Sequence, residues 1–149
     1  MQVLNFPAYK FRIKSNENNY SIFDIIRKKY VILTHEEWVR QHFINYLTQY
    51  KGYPISLIAV EKKLQVNKLT KRTDILVFDT NGNPNIIVEC KAPSIALTQS
   101  TFDQIARYNS TLNAEYLIVT NGLEHLYCTT DHSKEHYVYL KNIHKYSQF

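Results

Sequence analysis

The fold of this chain is decided by two apolar runs with charged ends, Lys71-Arg72-Thr73-Asp74-Ile75-Leu76-Val77-Phe78 and Ile86-Ile87-Val88-Glu89-Cys90-Lys91. Between them lies Asn81-Gly82, a dipeptide typical of tight hairpin turns. We therefore expect two antiparallel strands that bring Asp74 close to Glu89. Because side chains alternate between the faces of a strand, Glu89 and Lys91 should point to one face and Cys90 to the other.

This hairpin would gather two carboxylates and one ammonium group at one end of the sheet. Hard divalent cations such as Mg²⁺ take oxygen ligands and bind through one or two carboxylates together with a substrate phosphate. A metal held by Asp74 and Glu89 would polarise a phosphodiester, and Lys91 would steady the attacking hydroxide or the developing negative charge. The pattern Asp…Glu-x-Lys also occurs on ordinary solvated strand edges, so it needs support from the rest of the chain.

A helix is predicted from Thr98 to Asn113, where apolar residues recur at helical spacing. Gln104 and Tyr108 are four residues apart and share a helix face, so both can lean toward the same strand ends. The simpler interpretation is a surface glutamine and a core tyrosine, and spacing alone favours it.

A second helix is predicted from Thr34 to Tyr50, with Thr34 as N-cap and Glu37 closing a capping box. On a helical wheel Glu36 falls within the apolar stripe, whereas Glu37 lies on the far side. A carboxylate on a buried stripe needs a partner or a metal. Glu36 is therefore either part of a metal site or the ion-pair partner of Arg40, one turn later.

Seven segments together carry a family resemblance: Leu33-Thr34-His35-Glu36-Glu37-Trp38-Val39-Arg40-Gln41, Gly52-Tyr53-Pro54, Val60-Glu61, Lys71-Arg72-Thr73-Asp74-Ile75, Val88-Glu89-Cys90-Lys91-Ala92-Pro93, Gln104-Ile105-Ala106-Arg107-Tyr108-Asn109 and Tyr116-Leu117-Ile118-Val119-Thr120-Asn121-Gly122. In this order they resemble the N-terminal nuclease domain of type I restriction enzyme R subunits, and in particular its short stand-alone relatives. That domain belongs to the PD-(D/E)XK nuclease superfamily. The resemblance covers roughly residues 20–130.

The resemblance implies a metal-dependent endonuclease that hydrolyses DNA phosphodiester bonds. It implies that Asp74 and Glu89 bind Mg²⁺ or Mn²⁺ and that Lys91 is the catalytic lysine. Glu36 resembles the acidic residue that many superfamily members add to the metal shell, although the motif can also be read onto Glu37.

Two more elements of the family pattern bear on the site. Gln104 and Tyr108 match its Gln-x-x-x-Tyr element and are therefore expected among the catalytic residues. Thr73 stands where the superfamily's name has proline, a position that varies widely in such folds.

The expected fold class is α/β, with a restriction-endonuclease-like core in which helices flank a mixed central sheet. With 149 residues, 44% of them hydrophobic, we expect one nuclease-like domain over residues 1–149, its core at about 20–130. Short strands are expected near Phe11–Lys14 and Tyr20–Val31. The remaining strands are predicted at Ser56–Leu64, Thr73–Phe78, Asn85–Cys90, Tyr116–Thr120, His125–Thr129 and Tyr137–Leu140.

The net charge of +5 suits a polyanionic partner, and DNA is the partner we expect. Lys68, Lys71 and Arg72 approach Asp74 along its own strand and are the predicted phosphate contacts. Arg27-Lys28-Lys29 and Lys62-Lys63 are more typical of a solvated face.

Several functional classes are disfavoured by what the sequence lacks. None of its three glycines fits a phosphate-binding loop, so these residues hold no ATP-driven motor. No apolar run is long enough for a membrane span and no signal peptide is apparent, so we expect a cytoplasmic protein without membrane contact. Cys90 and Cys128 are expected to be buried and unpaired.

Other interpretations stay open at this level. The chain could be a catalytically silent DNA-binding or protein-binding module that keeps a nuclease fold. It could require separate motor or specificity subunits of a restriction system, or act as a homodimer. The residues also do not distinguish DNA from RNA or branched DNA as substrate.

Overall fold

The computed structural model describes residues 1–66, 68–130 and 136–147. In these ranges the chain forms a six-stranded mixed sheet, a three-stranded sheet and two α-helices. The elements are β1 (Ile13–Ser15), β2 (Tyr20–Asp24), β3 (Lys29–Ile32), α1 (His35–Asn45), β4 (Ile58–Val66), β5 (Leu69–Phe78), β6 (Pro84–Cys90), α2 (Gln99–Leu112), β7 (Tyr116–Thr120), β8 (His125–Thr130) and β9 (Tyr137–Leu140).

The large sheet has the strand order β4-β5-β6-β7-β8-β9. Only β6 and β7 pair in parallel within it, and α2 forms the crossover between them. The remaining neighbours are joined as antiparallel pairs. This mixed sheet with helices confirms the predicted α/β class.

The β5–β6 hairpin forms as predicted. Ile75 pairs with Val88 in the antiparallel ladder, and the turn contains Gly82 at φ 84°. The Asp79 carboxylate stabilises this turn by accepting hydrogen bonds from two backbone N–H groups of the loop, each at 2.9 Å. The hairpin therefore fixes the register that aligns Asp74 with Glu89.

Helix α1 covers one face of the large sheet. Its N-cap is Thr34, whose hydroxyl accepts a hydrogen bond from the Glu37 N–H at 3.0 Å. The helix continues into a π-helical turn at Tyr46–Tyr50, so the predicted helix is confirmed over its full range. Its apolar residues are buried against alternate residues of the central strands, in a core that includes Val39, Phe43, Leu47, Ile75, Val77, Ile86, Val88, Cys90 and Ile118.

Helix α2 covers the opposite face. It begins after Thr98, whose hydroxyl accepts from the Thr101 N–H at 3.3 Å, and it ends at Asn113 in the left-handed conformation. Its buried residues contact the strand positions that α1 does not reach, in a core that includes Leu76, Ile87, Phe102, Ile105, Leu117 and Val119. Because side chains alternate between the two faces along β5 and β6, these strands contribute residues to two separate cores.

The β7–β8 hairpin turns at Asn121-Gly122, a second Asn-Gly dipeptide of the kind that favours tight hairpin turns. Gly122 has φ 87°, and a β-carbon there would lie 2.9 Å from the Leu4 side chain. A larger residue would therefore push away the N-terminal segment that covers α1.

The remaining expectations concern the N-terminal leader, the start of β5, the two cysteines and membrane-spanning helices. The N-terminal leader forms the antiparallel sheet β1-β2-β3, and β5 begins earlier than predicted. Cys90 and Cys128 are free and buried, as expected, and burial raises the pKa of Cys128 to about 11. Within the described ranges, no helix has the length and apolar character that crossing a membrane requires.

Candidate active site

A row of three acidic residues crosses neighbouring strands of the large sheet. The register of the β4–β5 hairpin puts Glu61 opposite Asp74, and the register of β5–β6 puts Asp74 opposite Glu89. The β5–β6 ladder ends one residue earlier, at Ile75 and Val88. Glu61 has φ 53°, a conformation that is costly for a non-glycine residue. The backbone is therefore distorted where the acidic side chains meet.

Asp74 is held by contacts to both of its oxygens. Its Oδ2 accepts a hydrogen bond from the Cys90 N–H at 2.7 Å, and its Oδ1 accepts one from Arg40 Nη2 at 2.9 Å. Because the residue is also buried, these charge-assisted bonds fix the carboxylate at the divergent strand ends.

Arg40 of α1 lies at the centre of four carboxylates. Its Nη1 is 2.7 Å from Glu37, and its Nη2 contacts Asp74 at 2.9 Å and both Glu36 and Glu61 at 3.2 Å. Burial opposes the charge of Arg40, but Glu37 and Asp74 outweigh it and raise the pKa above its ordinary value. Arg40 therefore stays cationic and compensates the acidic row from the α1 side.

The helical-wheel assignment of the two glutamates was wrong about burial. The Glu37 side chain is only 7% exposed and the Glu36 side chain is 46% exposed. The wheel considered only the apolar stripe, whereas Arg27 and Arg40 draw Glu37 inward, at 2.7 Å each. Glu37 is thus committed to a buried ion-pair cluster, while Glu36 faces the acidic row from its exposed side.

Glu36 responds electrostatically to that position. Partial burial and the nearby Asp74 carboxylate raise its pKa, while Arg40 and Lys91 oppose the shift. Arg40 is its ion-pair partner, as one of the two sequence interpretations had it. Membership of a metal shell stays a prediction for Glu36.

Glu89 points to the α2 side of the sheet, where its carboxylate lies close to the Lys91 ammonium group. Their charged groups are 3.4 Å apart, while Cys90 between them is buried in the α1 core, as the strand alternation predicted. Burial and the Asp74 carboxylate raise the pKa of Glu89 to about 7. A raised carboxylate pKa of this kind is common in metal-binding and catalytic sites.

A cleft of about 180 Å³ opens beside Glu89, between β5, β6 and α2. It brings together four other residues predicted for the site, Lys71, Arg72, Gln104 and Tyr108. The Tyr108 hydroxyl is buried without a hydrogen-bond partner in the part of the chain that the structure describes. An unpartnered buried hydroxyl is costly, and in a cleft it indicates a group that a ligand would satisfy.

Lys68 is not part of this constellation. It lies at the end of the β4–β5 hairpin, six residues from Asp74 along the strand. At about 3.3 Å per residue that separation is roughly 20 Å. A role of Lys68 in DNA binding therefore concerns the hairpin tip rather than the acidic row.

The donor set at the site suits a hard cation through two carboxylates. In the described ranges no group of three or more His, Cys, Asp or Glu side chains is arranged to hold a metal ion. Glu36, Glu61 and Asp74 each form an ion pair with the Arg40 guanidinium instead. Asp74 and Glu89 remain as adjacent oxygen donors, the number that Mg²⁺ commonly takes from protein.

Sequence reasoning missed two members of the site. Arg40 was considered only as a partner of Glu36, and Glu61 only as part of a family segment. A signal for Glu61 existed, because any β4–β5 hairpin turning between Val66 and Leu69 must put it opposite Asp74. The sequence gives no comparable signal for Arg40, because its position depends on how α1 packs on the sheet.

Comparison with known proteins gives two findings. The family described as type I restriction enzyme R protein N terminus matches residues 35–143. The chain is also similar in structure to a fragment assigned to the HsdR subunit of a type I restriction enzyme from Vibrio vulnificus YJ016, with a TM-score of 0.54 and 19% sequence identity. That match covers 76% of this chain but 24% of the other. No curated protein matches the chain at a significant level.

Proposed function

Since the chain belongs to the family of type I restriction enzyme R protein N-terminal domains, we propose that it is a metal-dependent endonuclease domain that hydrolyses DNA phosphodiester bonds. One observation carries the proposal: Asp74 and Glu89 lie opposite each other where β5 and β6 separate, with Lys91 3.4 Å from Glu89. This set combines two oxygen donors for a hard cation with one mobile ammonium group.

We propose that Asp74 and Glu89 hold Mg²⁺ or Mn²⁺, with Glu36 at the outer edge of the shell. When bound, the metal would polarise the scissile phosphate and lower the pKa of a coordinated water. The Asp74 carboxylate is held in place for this role by hydrogen bonds from the Cys90 N–H and Arg40. Glu89 must lose its proton, and its raised pKa puts that step near neutral pH.

Lys91 acts beside the metal ligands in this proposal. The side chain is about one-third exposed, so the ammonium group can leave Glu89 and donate to an attacking hydroxide or a phosphate oxygen. Its backbone N–H is anchored to the Thr120 carbonyl at 2.8 Å. The residue is thus fixed at its backbone and mobile at its charge, which suits stabilisation of a developing negative charge.

DNA would enter along the α2 side. Lys71 and Arg72 form a basic wall of the cleft, and guanidinium and ammonium groups are the usual phosphate contacts. Gln104 and the unpartnered Tyr108 hydroxyl offer hydrogen bonds from the opposite wall. Lys68, at the hairpin tip, would contact the backbone farther along the duplex.

The partners proposed for this domain follow from its family. The chain spans about a quarter of the length of the HsdR fragment that it resembles. DNA translocation and sequence choice would then come from outside these 149 residues, and separate motor or specificity subunits of a restriction system are the partners we propose. A second copy of this domain is the other partner, because cutting both strands of a duplex needs two hydrolytic events.

The proposal is tested by cleavage of supercoiled plasmid in Mg²⁺ or Mn²⁺ and in EDTA. Linear duplex, single-stranded DNA and RNA are assayed alongside. The parent should nick DNA only with metal, and Asp74→Ala and Glu89→Ala should abolish nicking, whereas Glu124→Ala, which removes an exposed carboxylate, should not. Equal cleavage by all four proteins would refute the assigned site.

A second candidate function is a catalytically silent DNA-binding or protein-binding module. The observation in its favour is the Arg40 guanidinium, which already neutralises Asp74 without any metal. Such a module would bind DNA without cutting it and would show no Mn²⁺ binding that depends on Glu89.

A further inference from the structure

The N-terminal segment that includes the three-stranded sheet carries most of the chain's excess positive charge. Residues 1–34 contain six Lys or Arg and two Asp or Glu, which gives +4 of the total +5. This segment lies outside the family match, which begins at residue 35. Charge concentrated outside the matched region points to a binding surface separate from the candidate site.

Two of these cations extend over aromatic rings on one face of β1-β2-β3. The Arg12 guanidinium lies 4.2 Å from the centre of the Phe23 ring, and the Lys14 ammonium lies 4.1 Å from that of Tyr30. Phe23 and Tyr30 pair directly across β2 and β3. We call Arg12, Lys14, Phe23 and Tyr30 the basic face.

The cations of the basic face are available to a ligand. Arg12 and Lys14 are both exposed, and among the residues that the structure describes no carboxylate lies within ion-pair distance of either. The rings beneath them restrict the side chains, so less conformational entropy is lost when an anion binds. Guanidinium groups also match the geometry of phosphate oxygens.

A continuous set of ion pairs connects this sheet to the acidic row. Arg27, in the β2–β3 turn, contacts Asp24 at 2.6 Å and Glu37 at 2.7 Å. Glu37 contacts Arg40, which contacts Asp74 at 2.9 Å. The three-stranded sheet is therefore tied to the same helix end that carries the site.

From these observations we propose that the basic face contacts the phosphate backbone of the DNA that the candidate site cuts. The inference rests on the proposed function and adds a binding surface to it. Contacts by Arg12 and Lys14 to phosphates are independent of sequence, so the face would set affinity and orientation rather than specificity.

The test compares two charge-matched double variants by DNA affinity. Arg12→Gln with Lys14→Gln removes the basic face, and Lys141→Gln with Lys145→Gln removes the same charge from exposed C-terminal positions. Binding of a labelled duplex is measured by fluorescence anisotropy at several salt concentrations in EDTA. The first pair should bind more weakly and reduce the slope of log K against log salt by about 2, roughly one per lost phosphate contact. The second pair should match the parent.

Controls separate the possible failures. Thermal unfolding checks that both pairs fold, and the swap Arg12→Lys with Lys14→Arg should restore the parental slope. Equal affinities and slopes for the two Gln pairs, with a parent that binds and cuts DNA, would overturn this inference alone. A parent that neither binds nor cuts DNA would overturn the proposed function and the inference together.

An acidic protein partner is the rival occupant, and polyglutamate tests it. If labelled polyglutamate binds the parent but not the Arg12→Gln, Lys14→Gln pair, while the DNA affinity of the two proteins is equal, the face binds acidic protein and the DNA assignment is wrong. If polyglutamate competes only weakly with both, the result supports a surface that is selective for nucleic acid.

Discussion

The two sides of the acidic row differ in how their charges are compensated. On the α1 side, the Arg40 side chain is 4% exposed and contacts four carboxylates, so each of them already has a cationic partner. On the α2 side, Glu89 has Lys91 at 3.4 Å beside an open cleft, and its pKa is raised to about 7. The ion pairs on the α1 side stabilise the fold. On the α2 side, the Glu89 carboxylate is open to a further cation. The two sides are in contact through Asp74.

Among the variants considered, Arg40→Met should lower the free energy of unfolding the most, because it removes the cation of the α1 side. It leaves Asp74 buried without its cation and Glu37 with Arg27 alone, and removing one partner of a buried pair typically costs about 3–5 kcal/mol. Urea unfolding measures the loss. Arg72→Met is the matched control: Arg72 is 52% exposed with one contact at 3.3 Å, so it should cost less than about 1 kcal/mol. Equal losses of unfolding free energy in the two variants would show that Arg40 does not hold the buried carboxylates together.

Lys91→Ala should separate chemistry from stability on the α2 side. The proposed charge stabilisation predicts that the single-turnover cleavage rate falls by about 10²–10³-fold. Since Lys91 is partly exposed, unfolding in urea should change little. Lys141→Ala, an exposed lysine at β9, serves as the control and should cut like the parent. A Lys91→Ala variant that retains the parental rate would exclude the ammonium group from the reaction.

Glu89 should make the stability of the metal-free protein depend on pH. Its folded pKa of about 7 exceeds the ordinary value of 4.5, so the native state holds the proton more tightly than the unfolded state. Stability in EDTA should therefore fall as pH rises from 4.5 to about 7, by about 2 kcal/mol after allowance for solvent screening. Thermal unfolding across this window measures the slope.

Glu89→Gln is the matched variant for that measurement. It carries no proton to lose, so its stability should be flatter over the same pH window and should exceed that of the parent above pH 7. Identical pH profiles for parent and variant would mean that Glu89 does not titrate near neutrality. Added Mg²⁺ should also flatten the parental profile if it binds the ionised carboxylate.

Tyr108→Phe should have the smallest effect on the fold. Because the hydroxyl is buried without a partner in the described structure, its loss should change stability by less than about 1 kcal/mol and can be stabilising. The cleavage rate should fall if the hydroxyl contacts substrate, as proposed. Tyr139→Phe, at an exposed tyrosine, controls for the change in side-chain chemistry. Unchanged cleavage in Tyr108→Phe would make this tyrosine a core residue only.

Local rules were sufficient to predict most of the fold. Asn81-Gly82 and Asn121-Gly122 specify their turns through backbone conformation, and the N-cap hydroxyls of Thr34 and Thr98 mark where the helices begin. The alternation along β6 then separates Cys90 from its neighbours. These signals depend on residues close in sequence, so they can be interpreted without knowledge of the tertiary structure.

The parts that sequence reasoning missed depend on long-range packing. Arg40 reaches Asp74 across 34 positions, and Arg27 reaches Glu37 across ten. A helical wheel cannot anticipate that an arginine from another element will draw Glu37 into the interior. Glu61 escaped because its hairpin turn contains no glycine signal. The roles of the basic residues also depend on their positions in the fold. Arg27 forms ion pairs with Asp24 and Glu37, whereas Lys71 and Arg72 line the cleft.

Binding of Mn²⁺ by isothermal titration calorimetry at pH 8 tests the central claim most directly, because it does not require DNA or a partner chain. The account predicts about one ion per chain for the parent and for the exposed-site control Glu124→Gln. It predicts loss of binding in Asp74→Asn and in Glu89→Gln, with both variants still folded. Unchanged stoichiometry and affinity in these two variants, or no binding by the parent, would contradict a metal-dependent site between Asp74 and Glu89.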